Sequence, residues 1–310
     1  MPVDELWHRF LTKDRLALSR LLTLISRGQE LDSVQDRIAK LPPRPLQDGL
    51  PRTVAITGSG GVGKSSLIGK LIETIRARGW SVAVLACDPQ SPLTGGALLG
   101  DRLRMPSLND DGVFVRSVAT PSGHQAVAEH LDLMVALCLA YGFDFVILET
   151  VGAGQGDTAV HALVDVVVLL VQPEAGDDVQ WEKAGLLEVA DLVVVHKADL
   201  PGADRTESQV RSLLNLPGCR DIPILRASAA KGLGLVELYD AILTLPPQRH
   251  AIKRDLNSLI QLTQAELGHW MRSAQPALQT ILEKWQRGEL KDAQAAEAIL
   301  VQRSHLHPSV

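Results

Sequence analysis

The sequence predicts an α/β fold: a mostly parallel sheet with helices on both faces, a short helical stretch before it and a helical arm after it. Three observations carry that reading. Seven short runs rich in Val, Ile and Leu alternate with helix-period stretches between residues 53 and 245. The first run passes through a glycine-rich turn straight into a helical pattern, at residues 53–66. After Pro246-Pro247 the strand-like runs stop and only helical spacing remains.

Taken in order, residues 3–40 place Leu6, Phe10, Leu18, Leu21, Leu22 and Ile25 at helical spacing. They read as two helices broken near Gly28, with Ile38 and Leu41 closing the second. Leu41 to Pro51 holds four prolines and a glycine and reads as a linker. The expected strands are 53–57, Ser81–Cys87, Val113–Val118, Asp144–Glu149, Asp165–Gln172, Asp191–His196 and Ile222–Arg226. Helices are expected between most of them, near 64–78, 124–140, 178–189, 204–214 and 233–244. Strands apolar along their whole length belong to a parallel sheet covered on both faces. Residues 252–303 read as helices, with Leu256, Leu259, Ile260, Leu267, Trp270 and Met271 on one face. Leu278, Ile281, Leu282 and Trp285 follow, and Gly288 separates a last helix ending near Leu300, with His305 and His307 in a frayed tail. The arm is too small for a core of its own. It packs either on the sheet domain or on a second copy of the chain. The organisation is therefore residues 1–50 as helical extension and linker, 51–247 as the sheet domain and 248–310 as the arm.

Size and composition bound the rest. A chain of 310 residues, 45% hydrophobic and 22% charged, can bury one large α/β core plus helical additions. A net charge of −5 gives no reason to expect nucleic acid as a partner. Cys87, Cys138 and Cys219 are far apart, suit neither a disulfide framework nor a zinc site, and read as small buried apolar residues. The start, Met1-Pro2-Val3-Asp4-Glu5, lacks the basic-then-apolar order of a signal peptide. The run from Val166 to Val171 is too short to cross a bilayer, so no membrane partner is expected and cytoplasm is the expected setting.

The chemistry begins at the glycine-rich turn. Gly58, Gly63, Lys64 and Ser65 satisfy the G-x-x-x-x-G-K-[ST] pattern of a phosphate-binding loop. Gly58, Ser59, Gly60, Gly61, Val62, Gly63, Lys64, Ser65 and Ser66 are the residues expected to cradle the phosphates. Glycines let successive N–H groups point at one anion, and the helix that follows adds the positive end of its dipole. Lys64 can then reach the β- and γ-phosphates, and the Ser65 hydroxyl can ligate Mg2+. A chance glycine-rich turn would not come with a buried strand before it and a helix after it.

Ligands on a parallel sheet sit beyond the carboxyl ends of its strands. At one such end Asp88 suits Mg2+ or its waters, against the plainer reading of an Asp that opens a turn before Pro89. Residues 91–105 follow, with Thr94-Gly95-Gly96 and Asp101 through Arg104. They suit a segment that closes over a nucleotide, Asp101 binding metal and Arg104 neutralising charge on the transferred phosphoryl group, against a plain surface loop. The strand Phe145-Val146-Ile147-Leu148 ends in Glu149-Thr150-Val151-Gly152. GTPases carry an acid, two residues and a glycine here, the acid contacting a magnesium water and the glycine N–H sensing the γ-phosphate. Gln155 stands where it can position the attacking water. The next strand ends in His196-Lys197-Ala198-Asp199, which resembles the N-K-x-D base-reading motif. A carboxylate at Asp199 accepts from guanine N1–H and the exocyclic amine together, which adenine does not offer. His196 replaces the usual asparagine and keeps one donor for the purine. Ser228-Ala229-Ala230-Lys231 resembles the last GTPase motif, in which a backbone N–H meets guanine O6.

With these pieces in order the chain resembles the MeaB/ArgK family of GTPases. Gly58 to Ser65, Asp88 through Met105, Glu149 to Gln155 and Glu174 to Gln180 carry the resemblance, and the T-G-G-x-x-L-G-D-x-x-R-M stretch is its most specific part. The resemblance implies a phosphate-loop GTPase domain of the SIMIBI type, with GTP/GDP and Mg2+ bound and a homodimer through the carboxy-terminal helices. It also implies that GTP hydrolysis gates cofactor loading and protection of an adenosylcobalamin-dependent acyl-CoA mutase, typically methylmalonyl-CoA mutase. Segment 174–185, with Lys183, would signal to that mutase. Two departures stand out. His196 is one, and Ser59 occupies the place of the signature lysine of related dimeric partitioning ATPases. A nickel-delivering GTPase would want a Cys/His cluster, which the sequence does not display. A transport-linked kinase needs an acceptor site and a base, and a plain nucleotide-binding scaffold needs neither.

Overall fold

The computed structural model describes residues 1–42, 50–89, 110–120, 128, 130–151, 160–173, 184–216, 220–247, 263, 267–268, 270–271 and 274–306. Seven strands form one sheet: β1 (Thr53–Gly58), β2 (Val82–Pro89), β3 (Val113–Thr120), β4 (Phe145–Glu149), β5 (Val166–Val171), β6 (Leu192–His196) and β7 (Ile224–Ala227). Their order is β3-β2-β4-β1-β5-β6-β7, and every pairing is parallel. The α/β expectation holds. β1, β4, β5 and β6 are buried at every position, which is what their unbroken Val/Ile/Leu runs require.

Four strands begin one residue later than the sequence suggests, at Val82, Phe145, Val166 and Leu192, and for the last three the reason is shared. Asp144, Asp165 and Asp191 each precede a strand and use the carboxylate on the strand beside it. Asp144 accepts from the N–H and hydroxyl of Ser81, at 2.8 and 2.7 Å. Asp165 accepts from the backbone N–H groups of Arg52 and Thr53 and from the Thr53 hydroxyl, at 2.8, 3.0 and 2.9 Å. Asp191 accepts from Val167 N–H at 2.9 Å. These staples satisfy donors that the parallel ladder leaves open at its amino end, and they fix register there.

The helices are α1 (Val3–Leu11), α2 (Arg15–Ser26), α3 (Leu31–Ala39), α4 (Lys64–Ala77), α5 (Leu131–Tyr141), α6 (Ala184–Val189), α7 (Ala203–Leu214) and α8 (Leu235–Thr244). Two more, α9 (Gln275–Gln286) and α10 (Asp292–Leu306), follow in the arm. The amino-terminal stretch is three helices, not two. Lys13 turns left-handed at φ 66, and Asp14 caps α2 by accepting from Leu16 and Ala17 N–H at 2.8 and 3.3 Å. The apolar period runs on across this break and hides it.

One face of the sheet packs on α4 and α8, through Ile56, Val84, Leu67, Ile68, Leu71, Leu238 and their neighbours. The other face packs on α5, which is apolar nearly all round because α2 and α3 cover its outer side. Phe10 is 1% exposed and meets Tyr141 edge-on at 5.4 Å between ring centroids. Lys13 and Tyr141 exchange hydrogen bonds to each other's carbonyls. The leading helices are thus a third layer of the same core. Two compact units result, residues 1–250 and 251–310. In the second, Gly288 (φ 74) follows α9, and Leu278, Ile281, Leu282, Trp285, Ala295 and Ile299 line an apolar groove of about 650 Å³. The last helix runs on past Leu300 to Leu306, so His305 is helical rather than frayed. Among the described residues, no helix is long and apolar enough to cross a membrane.

Candidate nucleotide site

Every motif described below lies at the carboxyl edge of the sheet, where β1 is flanked by β4 on one side and β5 on the other. That flanking is the topological switch point at which such sheets bind ligands. Gly58 ends β1 at φ +145, and a Cβ there would stand 2.6 Å from the Leu170 carbonyl oxygen, so only glycine fits. Gly63 caps α4 in the left-handed region, at φ +101. Between them the loop tip borders open space: a Cβ on Gly60 or Gly61 would touch nothing within 4 Å. Lys64 is buried, and its ammonium donates to the carbonyls of Gly58 at 2.9 Å and Ser59 at 3.2 Å. The loop therefore holds its lysine over its own backbone, at the amino end of a helix.

Ser65 and Glu149 come together. The Ser65 hydroxyl donates to Glu149 Oε1 at 2.7 Å, and Glu149 is 4% exposed. Register explains the meeting, since Glu149 sits between Ile56 of β1 and Ala86 of β2. Asp88, 7% exposed, lies two residues beyond Ala86 on β2. Behind these, Thr150 donates to Thr57 Oγ1 at 3.1 Å, so the tips of β4 and β1 are tied together. For Mg2+ the donor set fits: one hydroxyl and two carboxylates are hard oxygen ligands, and that ion ordinarily takes few protein ligands and keeps several waters.

The stretch that resembles the base-reading motif forms its own cluster. Asp199 accepts from the Ser228 hydroxyl at 2.5 Å, and that bond chiefly holds its carboxyl below the usual range. Lys231 N–H in turn donates to Ser228 Oγ at 3.2 Å, and Ser228 pairs with Leu233 through both backbone bonds of a small bridge. Ala229 and Ala230 occupy the turn inside that bridge. Lys197, left-handed at φ 57, reaches back to the Gly61 carbonyl at 2.9 Å and to Gln172 Oε1 at 2.7 Å.

His196 differs from expectation. It is 3% exposed, and both ring nitrogens face backbone: Nδ1 lies 2.8 Å from the Val62 carbonyl, and Nε2 takes the Ala229 N–H at 3.3 Å. The donor expected for the purine is spent inside the protein. Burial pushes the ring's pKa below its ordinary value. Gln172 is the contact that sequence reasoning missed. It follows β5 at the same edge, so the strand-end rule would have found it. Asp101, Arg104, Gly152, Gln155 and segment 174–183 lie outside the described residues.

Comparison with known proteins agrees with this geometry. Residues 18–271 match the family model described as methylmalonyl Co-A mutase-associated GTPase MeaB. The chain belongs to the MeaB family of GTPases. A Pyrococcus abyssi relative that carries a GTPase name is 41% identical over 247 residues, which is 77% of this chain and 75% of that one. A second MeaB-like match is to a Nocardia farcinica protein named fused isobutyryl-CoA mutase. It is 39% identical over 246 residues, covering 76% of this chain and 22% of the larger protein. Among solved structures, that of an LAO/AO transport system kinase has a TM-score of 0.61 at 24% identity over 96% of each chain. That likeness places the chain in the same fold.

Proposed function

We propose that this protein is a Mg2+-dependent GTPase that gates cofactor loading and protection of an adenosylcobalamin-dependent acyl-CoA mutase. The observation that carries the partner is the fusion. In the Nocardia farcinica protein, and again in one from Cupriavidus metallidurans at 40% identity over 196 residues, a segment like this chain belongs to a polypeptide named isobutyryl-CoA mutase. Covalent linkage in relatives supports non-covalent partnership here. Family membership supports the GTPase chemistry.

In this reading the loop N–H groups from Ser59 to Ser66 bind the phosphates, and Lys64 turns its ammonium from the loop carbonyls to the β- and γ-phosphates. Ser65, Glu149 and Asp88 would hold Mg2+, which would supply positive charge to neutralise the phosphates. Asp199, fixed by Ser228, reads guanine through paired donors, and the backbone of Ala229 and Ala230 closes on its carbonyl edge. Asp101 completes the metal site and Arg104 balances charge on the γ-phosphoryl group. Gly152 N–H senses that group, and Gln155 orients water. The arm makes the homodimer, an assignment supported by Leu282, Trp285, Leu300 and Val301, which are large apolar side chains left exposed on α9 and α10. The setting is the cytoplasm.

The test is co-elution of the full chain with a purified acyl-CoA mutase from the same genome, with GDP and with a non-hydrolysable GTP analogue. A complex whose stability or cobalamin uptake differs between the two nucleotides supports gating. A complex indifferent to nucleotide, or none at all, removes it.

A further inference from the structure

His196 ends β6 wedged between two loops that serve different parts of a nucleotide. On one side is the phosphate loop, through the Val62 carbonyl at 2.8 Å; on the other is the base loop, through Ala229 N–H at 3.3 Å. The two partners dictate one protonation state. A carbonyl only accepts, so Nδ1 must carry the proton. A backbone N–H only donates, so Nε2 must not. The ring is also pressed flush against the phosphate loop, since a Cβ on Gly63 would stand 2.7 Å from its Cε1 and 2.9 Å from Nδ1. A second proton would set Nε2–H against Ala229 N–H and place a buried cation near the amino end of α4.

The charged groups around it divide. The Lys197 ammonium, next in the chain, opposes a charged ring, while the Asp199 carboxylate favours one. Lys64 at the start of α4 and Lys231 in the base loop add positive charge on the two flanking loops. Burial is the largest influence and acts against the cation. Asp199 keeps its charge throughout, because its carboxyl is held below the ordinary range.

We propose that His196 is a positioning residue whose neutral ring locks the phosphate loop to the base loop, so that guanine-nucleotide affinity falls as the medium is acidified. This rests on the nucleotide-binding reading above. An asparagine, which the base-reading motif ordinarily places here, offers a donor and an acceptor that do not titrate. The histidine makes the same bridge conditional on pH.

The experiment measures binding of a fluorescent GDP analogue to the full chain between pH 5.5 and 7.5, for the wild type and for His196→Asn. The nucleotide's own terminal phosphate titrates near pH 6, so the difference between the two proteins is the readout. The wild type should lose about twofold or more affinity beyond the loss in His196→Asn, with the difference growing toward the acid end, the limit being tenfold per pH unit for one coupled proton. Equal pH slopes overturn the proposal. A wild type that fails to bind the analogue at pH 7.5 overturns the nucleotide-binding reading itself, and the proposal with it. A second measurement needs no variant and no nucleotide: 15N spectra of the imidazole at pH 7.5 should show Nδ1 protonated and Nε2 bare. The opposite tautomer overturns the bridge.

Discussion

The Ser65 hydroxyl donates to Glu149 Oε1 across 2.7 Å, joining the first turn of α4 to the tip of β4. Neither residue is close to the other in sequence; parallel pairing of β4 with both β1 and β2 brings them together. A hydroxyl and a carboxylate so placed beside a phosphate-loop lysine make an oxygen site for a hard cation. Glu149→Gln keeps the size of the side chain and removes its charge. The Mg2+ concentration needed for half-maximal GTP hydrolysis should rise by roughly 10–100-fold, the usual cost of disturbing a ligand or its support. A variant with the wild-type Mg2+ dependence would take Glu149 out of the metal site.

In the proposed function base selection falls to Asp199, because His196 is committed to backbone on both sides. Asp199→Asn should weaken GTP binding by about 1–3 kcal/mol and shift preference toward xanthosine triphosphate, whose C2 oxygen accepts where the guanine amine donates and so suits the amide's N–H. Competition binding with the two nucleotides checks it. Unchanged GTP affinity would remove Asp199 from base readout.

The leading helices share one core with the sheet, and Phe10 is where that is easiest to test. It is 1% exposed, stacks on Trp7 at 4.8 Å and meets Tyr141 edge-on. Phe10→Ala should cost about 3–5 kcal/mol, a fall in Tm on the order of 10 °C. A loss under about 1 kcal/mol in urea unfolding would mean that these helices are an appendage.

The exposed Leu282 and Trp285 of α9 predict the assembly state. Leu282→Glu with Trp285→Glu should convert a dimer to a monomer in sedimentation velocity without changing the circular dichroism of the sheet domain. A double variant that sediments as the wild type would place any dimer contact elsewhere.

Most of the sheet was legible because strands buried on both faces leave an unbroken apolar signature, and all seven lie where those runs lie. The phosphate loop was legible because its chemistry needs a fixed order of residue types. What escaped notice is decided by partners distant in sequence. The break at Lys13 hides under a continuous apolar period. Asp144, Asp165 and Asp191 read as strand starts, yet each carboxylate serves the next strand over. The committed ring of His196 could not be read from its motif, since only the folded chain brings Val62 and Ala229 to its two nitrogens.

Everything proposed for this molecule requires that its glycine-rich loop grip a nucleotide's phosphates with Lys64 among the donors. Steady-state GTP hydrolysis by the purified full chain and by Lys64→Ala measures that directly. The variant should lose about 100-fold or more of the turnover, in line with removal of one preorganised charge-stabilising donor, while retaining the wild-type circular dichroism. Hydrolysis undiminished in the variant would contradict the nucleotide site at its foundation.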